Sequence, residues 1–153
     1  EELPGVKNVI SGYSGGTTIN PRYKQVLTGE TGHIEVVKID YDSNIISFDE
    51  LIDFFFYIHD PTTLDRQGPD IGEQYKSIVF YDNEEQKDII EFKIKQIDLS
   101  GIHDNPVVTE LRETAEFYPA EDYHQDYAKR TGKLCYQQWY VQYQFSPMPV
   151  ISN

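Results

Sequence analysis

Two helices in this chain announce their own starting points, and each stands between segments of strand composition. Ser47 followed three residues later by Glu50 is a capping box, in which each side chain satisfies the other's free backbone N–H, so it predicts a helix over 47–59. Apolar residues run nearly round that cylinder, which predicts a well-buried helix. Asp82 with Glu85 predicts a second helix reaching about Ser100, with Ile89, Ile90, Ile94 and Ile97 along one stripe. Residues 6–13, 33–41, 75–81 and 107–111 read as strands, and 21–27 as a short helix with proline in its first turn. Within 33–41, Glu35, Val37, Ile39 and Tyr41 take one side and Ile34 and Val36 the other. Apolar residues on both sides predict a strand inside a sheet. This order of strands and helices points to a two-layer α+β domain.

At 153 residues the chain is one domain by length, with no internal repeat. A net charge of −13 argues against nucleic acid as a partner, because phosphates need a basic surface. The strongest apolar run, Leu51 to Ile58, is too short to cross a bilayer and is interrupted by Asp53. The single cysteine, Cys135, excludes an internal disulfide framework and a cysteine-based zinc site. Alone, such a thiol reads as a small inert residue. His59, His103 and His124 lack the spacing that would bring two onto one face, so no metal site is expected. The chain opens on Glu1 and shows no signal peptide; a cytoplasmic setting is the expectation.

Two stretches look like parts of a site. Residues 60–73 form a polar connection too long for an idle turn. Residues 117–127, Phe-Tyr-Pro-Ala-Glu-Asp-Tyr-His-Gln-Asp-Tyr, crowd aromatic rings, three acids and a histidine together. The residue before Pro119 is forced extended, and Glu121 and Asp122 then cap a short helix. That would set His124 and Tyr127 on one helical face. Glu35, on a strand side with apolar neighbours, would be hard to ionise, since desolvation raises a carboxyl pKa. By itself it reads equally as a solvated glutamate at a strand end, His124 as a surface histidine and Tyr127 as a packing residue.

Several further motifs decide between these readings. Leu3-Pro4-Gly5-Val6, Gly12-Tyr13-Ser14-Gly15-Gly16, Asn20-Pro21-Arg22-Tyr23 and Thr31-Gly32-His33-Ile34-Glu35 occur in that order. His59-Asp60-Pro61-Thr62 follows, then the run from Arg66 to Ser77 and the 117–127 stretch. Together they resemble the peptide methionine sulfoxide reductase A family from Leu3 to about Tyr127. The resemblance implies a ferredoxin-like two-layer α/β sandwich with a mixed sheet, lacking here its first strand and most of its first helix. It implies a reductase-like domain over 1–131 and a tail over 132–153 that carries a candidate resolving cysteine.

The activity so implied is thiol-dependent reduction of methionine S-sulfoxide in proteins and peptides, a repair of oxidative damage. Glu35 would be the proton donor, Tyr23 and Tyr75 would bind the sulfoxide oxygen, and Asp70, His124 and Tyr127 would contact the substrate. Cys135 falls near the place of a resolving thiol. No bound cofactor is implied; thioredoxin or another dithiol is the reductant, oxidised protein or peptide methionine the substrate, and a monomer is expected. The family's nucleophile lies in a Gly-Cys-Phe-Trp-Gly motif, which residues 1–153 do not contain and whose place in family order is upstream of Glu1. The expectation is an N-terminally truncated, inactive chain. The alternative is a non-catalytic peptide-binding protein, or a gene remnant, that keeps the groove.

Overall fold

The structure is a computed structural model that describes residues 3–131. Its elements in chain order are β1 (Val6–Ser14), α1 (Tyr23–Val26), β2 (Ile34–Tyr41), α2 (Phe48–Ile58), β3 (Arg66–Gln67), β4 (Asp70–Ile71), β5 (Ile78–Tyr81), α3 (Glu84–Ser100), β6 (Glu110–Glu113), β7 (Phe117–Pro119) and α4 (Tyr127–Thr131), with 3-10 turns at Glu73–Tyr75 and Asp122–His124. Among the described residues no helix is long and apolar enough to cross a membrane. Cys135 and the rest of the 132–153 tail lie outside the described residues.

The expected α+β architecture is present. Both senses of strand pairing occur, but in separate ladders: antiparallel in the order β2-β1-β7, and parallel between β5 and β6. The parallel pair is joined through α3, because parallel neighbours need a long crossover. Helices α2 and α3 pack with that pair around Ile52, Phe56 and Ile90, and Val79, Tyr81, Ile94, Ile97 and Leu111 close in around them. Three of the four isoleucines of the α3 stripe, Ile90, Ile94 and Ile97, are thereby used as their spacing predicts. A second, smaller core joins Tyr13, Val26 and Ala120, with Tyr23 packed against it. That core underlies the candidate site.

Local starts follow the sequence with some corrections. Ser47 caps α2 with both arms of the box formed: its hydroxyl accepts from Glu50 N at 3.2 Å and its N–H donates to Glu50 Oε2 at 2.8 Å. Removing that hydroxyl by Ser47→Ala is expected to cost about 1 kcal/mol, read as a lower denaturant midpoint with unchanged slope. For α3 the cap is Asn83, not Asp82; its side chain accepts from Gln86 N at 3.0 Å, one position later than the acid spacing suggests. The α2 helix is also less enclosed than its composition predicts, since Phe54 and Tyr57 are exposed.

The larger correction concerns β2. Among the described residues it is an edge strand in the β2-β1-β7 sheet, with Val37 56% and Ile39 37% exposed, and not an interior strand. Apolar residues on both faces bear on what covers the faces; they carry no information about lateral pairing. The 117–127 helix also differs. The 3-10 turn ends at His124, Asp126 takes a left-handed φ of 51°, and α4 begins afresh at Tyr127. His124 and Tyr127 therefore do not share a helical face, because one left-handed residue redirects the chain.

Candidate active site

The register of β1 sets the centre of the site. Tyr13 pairs with Glu35 on one side and with Tyr118 on the other. Residues directly opposite in a ladder project to the same face, so the three side chains form a row across the sheet. Tyr13 is only 2% exposed, and its hydroxyl donates to Glu121 Oε2 at 3.0 Å. Burial and that bond push the Tyr13 phenol far above its ordinary value, so it stays protonated.

Glu121 reaches further. Its Oε1 accepts the backbone N–H of Tyr23 at 3.0 Å, at the first residue of α1. The Tyr23 ring leans on His124, with centroids 4.2 Å apart, and the Tyr123 ring lies 4.3 Å from the same imidazole. Gln125 ties this turn to the sheet by bonding both the N–H and the carbonyl of Ser11 at 2.9 Å. The Ser11 carbonyl also accepts the Ala120 N–H at 2.9 Å, so Gln125 adds to the backbone bond there and supplies the acceptor for the Ser11 N–H.

The polar 60–73 connection is a closed structure. Gln67 bonds the Asp60 backbone at both its N–H (3.1 Å) and its carbonyl (2.8 Å), and Gly72 N donates to Asp65 O at 2.8 Å. At the base His59 Nδ1 donates to Phe55 O at 2.6 Å, and its Nε2 meets Ser77 Oγ at 2.7 Å. Since a carbonyl only accepts, Nδ1 carries the proton and Nε2 receives the serine hydroxyl. Burial lowers the His59 pKa, which keeps that neutral tautomer. The little β3–β4 hairpin and the 3-10 turn after it place Asp70 and Tyr75 within electrostatic reach of Glu35.

Electrostatics make Glu35 the unusual group. Burial first, and the Asp70 carboxylate second, push its carboxyl up to about 7. The residue as a whole is nevertheless exposed, so water reaches it from one side while protein crowds the other. Its expected apolar cover is absent, since Val37 and Ile39 on the same strand side are themselves exposed. The 3-10 turn Glu73–Tyr75 packs against β2. Burial and the Glu35 charge also raise the phenols of Tyr23 and Tyr75. Both therefore remain donors at neutral pH.

Of the residues singled out from sequence, Glu35, Tyr23, Tyr75, Asp70 and His124 converge on this face, and Tyr127, still exposed, lies within electrostatic reach of Tyr23. Cys135 lies outside the described residues. Sequence reasoning missed Tyr13, Glu121 and Gln125 as site residues. Glu121 reads as a helix cap, but it makes no cap bond to its own turn and turns to Tyr13 and Tyr23 instead. Only the register that sets Tyr13 opposite Glu35 reveals it. Among the described residues, no group of three His, Cys, Asp or Glu is arranged to hold a metal ion.

The α+β domain thus presents a half-desolvated carboxyl beside phenols that stay protonated at neutral pH. The family model for peptide methionine sulfoxide reductase matches residues 1–148. Peptide methionine sulfoxide reductase MsrA of Natronomonas pharaonis is 44% identical over 142 residues, covering 93% of this chain and 80% of that protein. The MsrA of Nautilia profundicola is 54% identical over 126 residues, 82% of this chain and 71% of its own. Among solved structures, methionine sulfoxide reductase A of Corynebacterium diphtheriae superposes with a TM-score of 0.75 at 34% identity, covering 88% of this chain and 68% of that one. Reduced Mxr1 of Saccharomyces cerevisiae gives 0.74 at 34% identity, over 85% and 74%. The chain belongs to the peptide methionine sulfoxide reductase family.

Proposed function

We propose that this site handles the oxygen of the S epimer of methionine sulfoxide in proteins and peptides, with Glu35 as the proton donor. The observation that supports this reading is the Glu35 carboxyl, held up to about 7 within reach of two neutral phenols. A thiolate attacks the sulfoxide sulfur and forms a sulfur–sulfur bond; the protonated oxygen then passes to the cysteine sulfur as its bond to the methionine sulfur and the sulfur–sulfur bond both break, leaving methionine and a cysteine sulfenic acid. The two-electron oxidation of cysteine matches the two-electron reduction of the sulfoxide. Glu35 supplies the proton as negative charge grows on oxygen, and Tyr23 and Tyr75 donate hydrogen bonds to it. Asp70 and His124, with Tyr127 at the rim, contact the polypeptide around the methionine.

By resemblance the nucleophile belongs to a Gly-Cys-Phe-Trp-Gly motif that residues 1–153 do not contain, and Cys135 takes the resolving role, with thioredoxin reducing the disulfide that follows. Because their one thiol is Cys135, residues 1–153 alone are expected not to turn over. The test is an epimer-resolved assay with dithiothreitol on the 153-residue chain and on a chain extended upstream through a Gly-Cys-Phe-Trp-Gly segment. The extended chain is expected to reduce the S epimer and the shorter one neither. Equal consumption of the R epimer would refute the reading.

A further inference from the structure

Three carboxylates meet at this face, and they are held in different ways. Among the described residues, neither the Glu35 nor the Asp70 side chain accepts a hydrogen bond, whereas both Glu121 oxygens do, from Tyr13 O–H and from Tyr23 N–H. One carboxylate therefore ties the C-terminal end of β1 to the first residue of α1. It also begins the turn whose His124 ring supports the Tyr23 ring, the His124 N–H donating back to Glu121 O at 2.8 Å. Tyr23 is thus gripped at its backbone by Glu121 and at its ring by His124, while its hydroxyl bonds to no other described residue. The Tyr13 hydroxyl, although opposite Glu35, is already committed.

We propose that Glu121 is a positioning residue of the reduction: by binding Tyr13 and Tyr23 together it fixes the Tyr23 phenol relative to Glu35, and so fixes where the sulfoxide oxygen is held. Tyr13 is its strut and not an oxygen-binding phenol. The proposal rests on the function assigned above, in which Tyr23 binds that oxygen. Burial opposes ionisation of Glu121, yet the Tyr23 N–H and the Tyr13 hydroxyl hold its carboxyl below the usual value, which suits an anchor and not a proton donor. Misplacing a group by about 1 Å costs on the order of a hundredfold in rate. A fixed Tyr23 therefore matters more than its contribution to stability.

The experiment is a mutant cycle in the enzyme extended through its nucleophile, assayed with N-acetyl-methionine S-sulfoxide and dithiothreitol. Glu121→Gln keeps size and one acceptor but loses the second. It is expected to lower kcat by about ten- to a hundredfold, with KM changed less than about twofold. On a Tyr23→Phe background the same change should cost less than about twofold, because residues that act as a unit are not additive. The fall in rate near pH 7 assigned to Glu35 should persist in Glu121→Gln. An equal loss on both backgrounds marks a purely structural role and overturns the proposal; disappearance of the pH 7 limb makes Glu121 itself the acid and also overturns it. A Tyr23→Phe enzyme with full activity instead removes the role of Tyr23 in the parent reading, and the proposal with it. Should Glu121→Gln fail to fold, Tyr13→Phe decides: kcat down about three- to tenfold only where Tyr23 is present supports the proposal, and an unchanged kcat defeats it.

Discussion

Glu35→Gln is expected to slow sulfoxide reduction by about 10²–10⁴-fold in the enzyme carrying its nucleophile, the usual contribution of general acid catalysis. Glutamine keeps the shape of the side chain but has no proton to give. The parent's Glu35 is half ionised at about pH 7, so its supply of donor falls as pH rises through that value. In the variant this limb of the profile should vanish. Stability should move the other way. A carboxyl whose folded pKa lies above its unfolded value favours folding most below the ordinary carboxylate range, and that advantage is lost as pH rises through about 7. At about pH 8 the ionised, crowded Glu35 opposes the fold, so Glu35→Gln should melt at a higher temperature than the parent. A variant with parental rate from about pH 6 to about pH 9 would leave Glu35 without a part in the chemistry.

Gly16→Ala is expected to damage fold and site together. A Cβ at this position would lie 2.4 Å from both His33 N and Thr31 O, two backbone atoms that cannot swing aside. The same stretch is stitched by Gly16 N to His33 Nδ1 at 3.1 Å and by Thr17 N to Thr31 O at 3.0 Å. His33 also meets Thr18 O through Nε2 at 2.8 Å, so its ring is held from both nitrogens. Forcing the loop off the start of β2 breaks these bonds and shifts Glu35, two residues further on. Overpacking against backbone of this kind costs about 3 kcal/mol or more, a large share of a total on the order of 5–15 kcal/mol. Thermal unfolding of Gly16→Ala beside the parent checks this; a midpoint within about 2 °C would show that the loop yields without cost.

What the chain determined by itself is what depends on near neighbours. Ser47 and Glu50 specify the start of α2 because both partners of the box lie within one turn, and the isoleucines of α3 specify its buried side because helical spacing is fixed. The order of motifs from Leu3 to Tyr127 carried the family, and with it five of the residues that meet at the site. Tertiary structure decided what depends on register and on distant partners. β2 was read as an interior strand from its two apolar faces, yet pairing is a property of the backbone and the strand stands at an edge. Glu35 was expected to owe its raised pKa to apolar neighbours on its own strand. Burial raises it first and the Asp70 carboxylate second, and Asp70 sits on a hairpin whose place is set by Gln67 and by the His59–Ser77 clasp. Glu121 lies 108 residues from Tyr13 and 98 from Tyr23, and no local pattern records that one carboxylate holds both. Side-chain spacing is written in sequence because helix and strand geometry repeat; the bond from Glu121 to Tyr13 exists only once β7 has laid its turn against β1.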